Sequence, residues 1–118
     1  DKAGNAGALE ETSYELGGTL GVAVLGSISA LVYRDELTGS PALREVGATE
    51  AAQARESLGS AIATSDRLGL PGLSSDAGAA FTESLQAAGL VGGVMMLVVA
   101  VAVYVLTPKG TTITDAEH

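Results

Sequence analysis

Residues 87–106 carry no charged side chain, and this run limits the fold more than any other feature of the chain. As an α-helix, about 20 residues reach about 30 Å, the thickness of a bilayer's hydrocarbon core. A helix that is apolar on every side needs either lipid or a large protein core around it. A chain of 118 residues with one Phe, three Tyr and no Trp has little from which to build such a core. The run therefore reads as a transmembrane helix. Thr107-Pro108-Lys109-Gly110 ends it, because proline cannot continue the backbone ladder. Tyr104 and Lys109 suit the interface, where a ring and an ammonium reach the headgroups. Gly89 and Gly93 are four apart and leave a shallow face on which a second helix can lie closely.

A second uncharged run covers residues 16–32, about 17 residues and at the short limit for crossing a bilayer. No proline interrupts the sequence from Ala3 to Tyr33, so one helix is expected over that whole stretch. Such a helix carries Glu10, Glu11 and Glu15 up to the membrane. Glu11 and Glu15 share a face, with Glu10 and Tyr14 on the adjoining one. Gly17 and Gly21 repeat the small-residue spacing. A charge at the bilayer centre costs roughly 2.5 to 3.5 kcal/mol on insertion scales, and less towards the interface. Carboxylates there call for a polar cavity shared with other helices, or for a bound proton, which desolvation and a like charge one turn away both favour. The alternative, for Glu10 and Glu11 above all, is water at the helix start, where acidic groups complement the macrodipole.

A net charge of −8 beside a mean hydropathy of +0.34 means that polar and apolar residues are segregated along the chain. Residues 34–86 hold eight acidic residues and four Arg, too polar for lipid. Thr49 is expected to cap a helix through about Arg67, with Ala51, Ala54, Leu58, Ala61 and Ile62 as a partial apolar stripe. Leu68-Gly69-Leu70-Pro71-Gly72 breaks the chain. A second helix is expected from near Ser75, with Phe81 and Leu85 on one face, running on into the membrane segment. The division is thus a membrane helix over 1–33, a polar helical hairpin over 34–86, a membrane helix over 87–107 and a tail over 108–118.

Cysteine is absent, so no disulfide or thiolate metal site exists, and His118, the only histidine, builds no metal site alone. Nothing resembles a phosphate loop or a nucleophile with a partner base, and an acidic chain is a poor ligand for nucleic acid. The expectation is a protein that is not an enzyme and takes no cofactor or metal. The opening Asp1-Lys2-Ala3 lacks the pattern of a signal peptide, and the chain is expected to be an internal or C-terminal piece of a longer one. Four Arg between the runs against Lys2 and Lys109 outside them would put the polar segment in the cytoplasm, but a segment this long weakens that rule.

The stretch Gly4-Asn5-Ala6-Gly7-Ala8-Leu9-Glu10-Glu11-Thr12-Ser13-Tyr14-Glu15-Leu16-Gly17-Gly18, continuing Leu20-Gly21-Val22-Ala23-Val24-Leu25-Gly26-Ser27, closely resembles one helix of the fourteen-helix drug:proton antiporters of the major facilitator superfamily. Within them it is similar to the quaternary-ammonium efflux pumps of the QacA, SmvA and LfrA type. The likeness extends to Leu90-Val91-Gly92-Gly93 and to Val103-Tyr104-Val105-Leu106-Thr107-Pro108-Lys109, and is looser between. It implies an all-α membrane protein, the C-terminal fragment of a major facilitator fold, comprising helices thirteen and fourteen. It further implies an extracellular-side loop, a cytoplasmic C-terminus and a multi-pass place in a bacterial plasma membrane. By the same resemblance Glu10, Glu11 and Glu15 help line a cavity for lipophilic cationic drugs, whose export is driven by protons. Relatives carry Asp at the position of Glu15, which here is one methylene longer. Tyr14 can offer its ring to a quaternary ammonium.

Two further readings follow from the residues. A small membrane hairpin subunit would use its glycine seams for assembly and its polar segment to bind a partner. A proton-conducting rotor-type hairpin combines glycine-rich helices with a membrane carboxylate, but its polar loop is short.

Overall fold

The computed structural model describes residues 2–110. Four helices follow one another: α1, Lys2–Thr38; α2, Ala48–Glu56; α3, Leu58–Leu68; and α4, Pro71–Leu106, with a 3-10 turn at Ala42–Glu45 between α1 and α2. The described residues contain no strand. The molecule is 78 Å long and 29 × 20 Å across, an elongated shape set by its two long helices, each of about 55 Å. Both α1 and α4 are long and apolar enough to cross a membrane, and almost none of their most apolar stretches is buried within the chain. A soluble protein's core helix would be covered, so this exposure favours lipid or further helices as their surroundings.

All three prolines stand at element boundaries. Pro41 precedes the 3-10 turn, Pro71 opens α4 and Pro108 follows the last residue after α4, Thr107. Proline lacks the amide hydrogen that a helix interior needs, while its fixed φ suits a first turn. Gly69 closes α3 in the left-handed region, φ 65°, where a side chain would clash with the following carbonyl.

Five expectations are corrected here. The first helix runs on to Thr38 rather than stopping at Tyr33, because Arg34-Asp35-Glu36-Leu37-Thr38 holds no breaker and Leu37 is fully buried. The helix expected over 49–67 is two helices, since Ser57 adopts an extended backbone and its Oγ accepts the amide of Ser60, capping α3. Thr49 is not a cap. Gly47 stands at that place, without a side-chain hydrogen bond. The last helix begins at Pro71, not near Ser75, so only residues 69–70 break the chain. Finally, Phe81 and Leu85 do not face the core, and Ile62 is exposed as well; α4 turns Leu73, Ala77, Ala80 and Ser84 inward.

Instead of a two-helix hairpin, the polar segment forms a short four-helix bundle from the end of α1, α2, α3 and the start of α4. Its core is Tyr33, Leu37, Leu43, Ala54, Ala61, Leu73, Ala77 and Ala80. The four alanines let helices approach closely, and buried polar groups are tied down. Tyr33 donates its hydroxyl to the Ala54 carbonyl at 2.9 Å, Ser65 to the Leu70 carbonyl at 2.6 Å, and Ser40 to the Asp76 carboxylate. Among the described residues no buried side-chain nitrogen or oxygen lacks a partner, which spares the bundle the roughly 1 to 3 kcal/mol that each orphan costs.

From the bundle the α1–α4 contact continues into the apolar runs. Inward residues recur at alternating spacings of four and three, as at Gly21, Leu25, Ile28 and Val32 of α1, the pattern of closely aligned helices. The contact ends at Gly21 and Gly92. Every described residue below these, 2–20 of α1 and 93–110, is exposed. The apolar-to-polar boundaries expected at 33/34 and 86/87 fall inside continuous helices, and residues 111–118 of the expected tail, with His118, lie outside the described residues.

Candidate carboxylate site on the first helix

Glu10, Glu11, Tyr14 and Glu15 stand in the N-terminal half of α1, where every described residue is exposed. Their depth follows from the register of α1 against α4. Ser29 Oγ donates to Ser84 Oγ at 3.1 Å, and the Leu25 methyls lie 3.7 and 3.8 Å from where a Cβ on Gly92 would be. Counting down both helices from these two contacts puts Glu15 level with residues 98–102 and Glu11 level with residues 102–106. Both levels belong to the uncharged run of α4. Extended along two straight helices, that register would put Glu15 about 6 to 12 Å inside the end of that run, at 1.5 Å per residue, and Glu10 at its edge. The two apolar runs are staggered, and the carboxylates occupy the offset.

The surface around Glu15 is concave. Tyr14, Glu15, Gly18, Thr19 and Val22 line a shallow groove of about 610 Å³. Gly18, one turn on from Tyr14, has nothing within 4 Å of its absent Cβ, so the Tyr14 ring, 83% exposed, and the Glu15 carboxylate overlook open space. Thr19 Oγ1 donates to the Glu15 carbonyl at 2.8 Å, a bond that uses the backbone and leaves the carboxylate free for another group. A carboxylate beside an aromatic ring over an uncovered glycine can accept a proton, or a cation held by charge and by the ring face. The structure thus brings Tyr14 and Glu15 into one groove. Glu10 and Glu11 line none of it and lie a turn nearer the N-terminus. Gly18 and Thr19 were missed as parts of this surface, although their positions three to five residues beyond Tyr14 and Glu15 put them on the same side of a helix.

The glycine seams behave differently from one another. Gly17, Gly21, Gly89 and Gly93 each have nothing within 4 Å of the Cβ position; Gly21 is half-buried at the end of the α1–α4 contact, and the other three are exposed. Gly92 makes the close approach instead, to Leu25. At the far end of α4, Lys109 Nζ lies 5.7 Å from the Tyr104 ring centroid, a cation–π pair where the apolar run ends. Among the described residues no group of three or more His, Cys, Asp or Glu is arranged to hold a metal ion. No protein-family model matches the chain, and no solved structure matches it.

Proposed function

We propose that this chain is the C-terminal part of a proton-coupled multidrug efflux antiporter of the major facilitator superfamily. It would export lipophilic and quaternary ammonium cations across a bacterial plasma membrane, with the helical bundle on the extracellular side. The observation that carries this reading is the place of Glu15, beside the uncharged run of α1 and sharing a groove with Tyr14. Such a carboxylate is costly in lipid and useful in a polar cavity, where the proton and an organic cation compete for one negative charge. Exchange at a site open to one side at a time couples the two fluxes. Glu11, one turn away on the same face, adds a second carboxylate beside it, and Glu10 sits where the cavity meets water. The open faces at Gly17, Gly21, Gly89 and Gly93 fit contact with the other helices of the same transporter. Those faces would equally serve a small hairpin subunit used for assembly, but that alternative gives the buried-depth glutamates no task.

The test is transport by the full-length protein. With Glu11→Gln and Glu15→Gln each introduced alone and together, proton-driven efflux of a lipophilic cation is expected to fall at least about tenfold, the loss of one charge-assisted contact. Unchanged efflux of every cation tried would rule out the carboxylate assignment.

A further inference from the structure

The four arginines of the polar segment are not equivalent. Arg67 donates to Gln53 Oε1 at 3.2 Å, on the outer part of the bundle. Arg34 and Arg55 instead line one cleft of about 240 Å³, with Ala52 as the small residue between them and Glu56 at the side. The two arginines come from different helices, α1 and α2, and they are brought together by the neighbouring tie of Tyr33 to the Ala54 carbonyl. That tie holds the end of α2 against α1 beside the point where the uncharged run 16–32 stops.

The height of the cleft identifies its surroundings, given that α1 crosses the bilayer. Arg34 lies two residues beyond Val32, about 3 Å further along the axis. The headgroup layer extends about 5 to 7 Å beyond the hydrocarbon on each side, so Arg34 starts at headgroup height, Arg55 shares its cleft, and both have stems long enough to adjust. A guanidinium presents paired N–H groups in the geometry of a phosphate's oxygens, and two arginines lining one cleft suit a phosphodiester. Glu56 adds a single acceptor charge at the rim. A ligand that offers a phosphate to Arg34 and Arg55 and an ammonium to Glu56 satisfies all three.

We propose that the Arg34–Arg55 cleft binds the headgroup of a membrane phospholipid, with Glu56 selecting the ammonium of phosphatidylethanolamine. The site is independent of what the glutamates of α1 carry and stands or falls apart from the transport reading. It would moor the bundle to the membrane surface where the uncharged run of α1 ends.

Native mass spectrometry of the full-length protein, stripped of lipid in detergent and titrated in parallel with phosphatidylethanolamine, phosphatidylglycerol and inorganic phosphate, tests it. The parent protein is expected to retain phosphatidylethanolamine. The double variant Arg34→Gln, Arg55→Gln should retain it about tenfold less or worse, the loss expected for a charge-assisted contact. Arg67→Gln should behave as the parent, and Glu56→Gln should lose the preference for phosphatidylethanolamine over phosphatidylglycerol. Equal retention by the double variant and the parent overturns the site. Displacement of the lipid by inorganic phosphate at matched concentration overturns the lipid as its occupant, and equal retention of the two lipids by the parent overturns the role of Glu56. If the double variant does not fold by circular dichroism, Arg34→Lys and Arg55→Lys, which keep the charge and lose the paired geometry, carry the same comparison.

Discussion

The two ends of this molecule are built on opposite principles. In the bundle, Leu37, Ala54, Leu73 and Ala77 are completely buried and the buried hydroxyls have partners within the chain. In the other half, below Gly21 and Gly92, every described residue is exposed, and the glutamates share that half with glycines that have open space where a Cβ would stand. One end finishes its own interactions, whereas the other presents polar groups and close-approach surfaces that require something else against them. The difference separates what this chain packs by itself from what it leaves uncovered.

The largest expected effect breaks the comparison if it fails. Leu73→Ala empties a fully buried site and should destabilise the chain by about 2 to 5 kcal/mol. The same truncation at Leu97, 68% exposed, should stay within about 0.5 kcal/mol. Denaturation followed by circular dichroism reads both, and equal losses would mean that the two halves do not differ as described.

A smaller effect sharpens it. Gly69→Ala forces a side chain into the left-handed region that ends α3 and should cost about 1 to 2 kcal/mol, although the space there is open. Gly93→Ala is helical and uncrowded within this chain and should be neutral or slightly stabilising by itself, by up to about 1 kcal/mol. In the full-length protein the same change should lower thermal stability if a neighbouring helix uses that face.

Much of this architecture is written locally. The uncharged run 87–106 and the prolines at 41, 71 and 108 mark where helices cross, begin and end, because charge and a missing amide hydrogen act without reference to the rest of the fold. The inward face of α4 is less visible. Hydrophobicity alone favours Phe81 and Leu85, yet close helix approach selects Ala77, Ala80 and Ser84, a choice made by the partner helix. Ser57 is similar: its hydroxyl suits a helix interior facing water as well as a cap, and only the fold of α2 onto α1 decides between them. In the seam, Gly92 rather than Gly89 or Gly93 meets Leu25, a rotation set by tertiary packing. The glutamates were conspicuous from spacing and cost, but their depth came from the register of two helices, which one sequence pattern does not fix.

That depth is the claim on which the functional reading turns, and it requires α1 to continue straight through Gly17 and Gly18. The chain has no cysteine of its own, so spin labels at Ala8→Cys and Leu106→Cys report on it cleanly. By the register, these positions are at nearly the same level, and their separation by pulsed electron paramagnetic resonance should be on the order of 10 to 20 Å, set by the interaxial distance and the label arms. A separation beyond about 25 Å would mean that the acidic segment turns away at the glycines, since Ala8 then moves off by about 15 Å along a new axis, and the glutamates would lie on the membrane surface instead of beside α4.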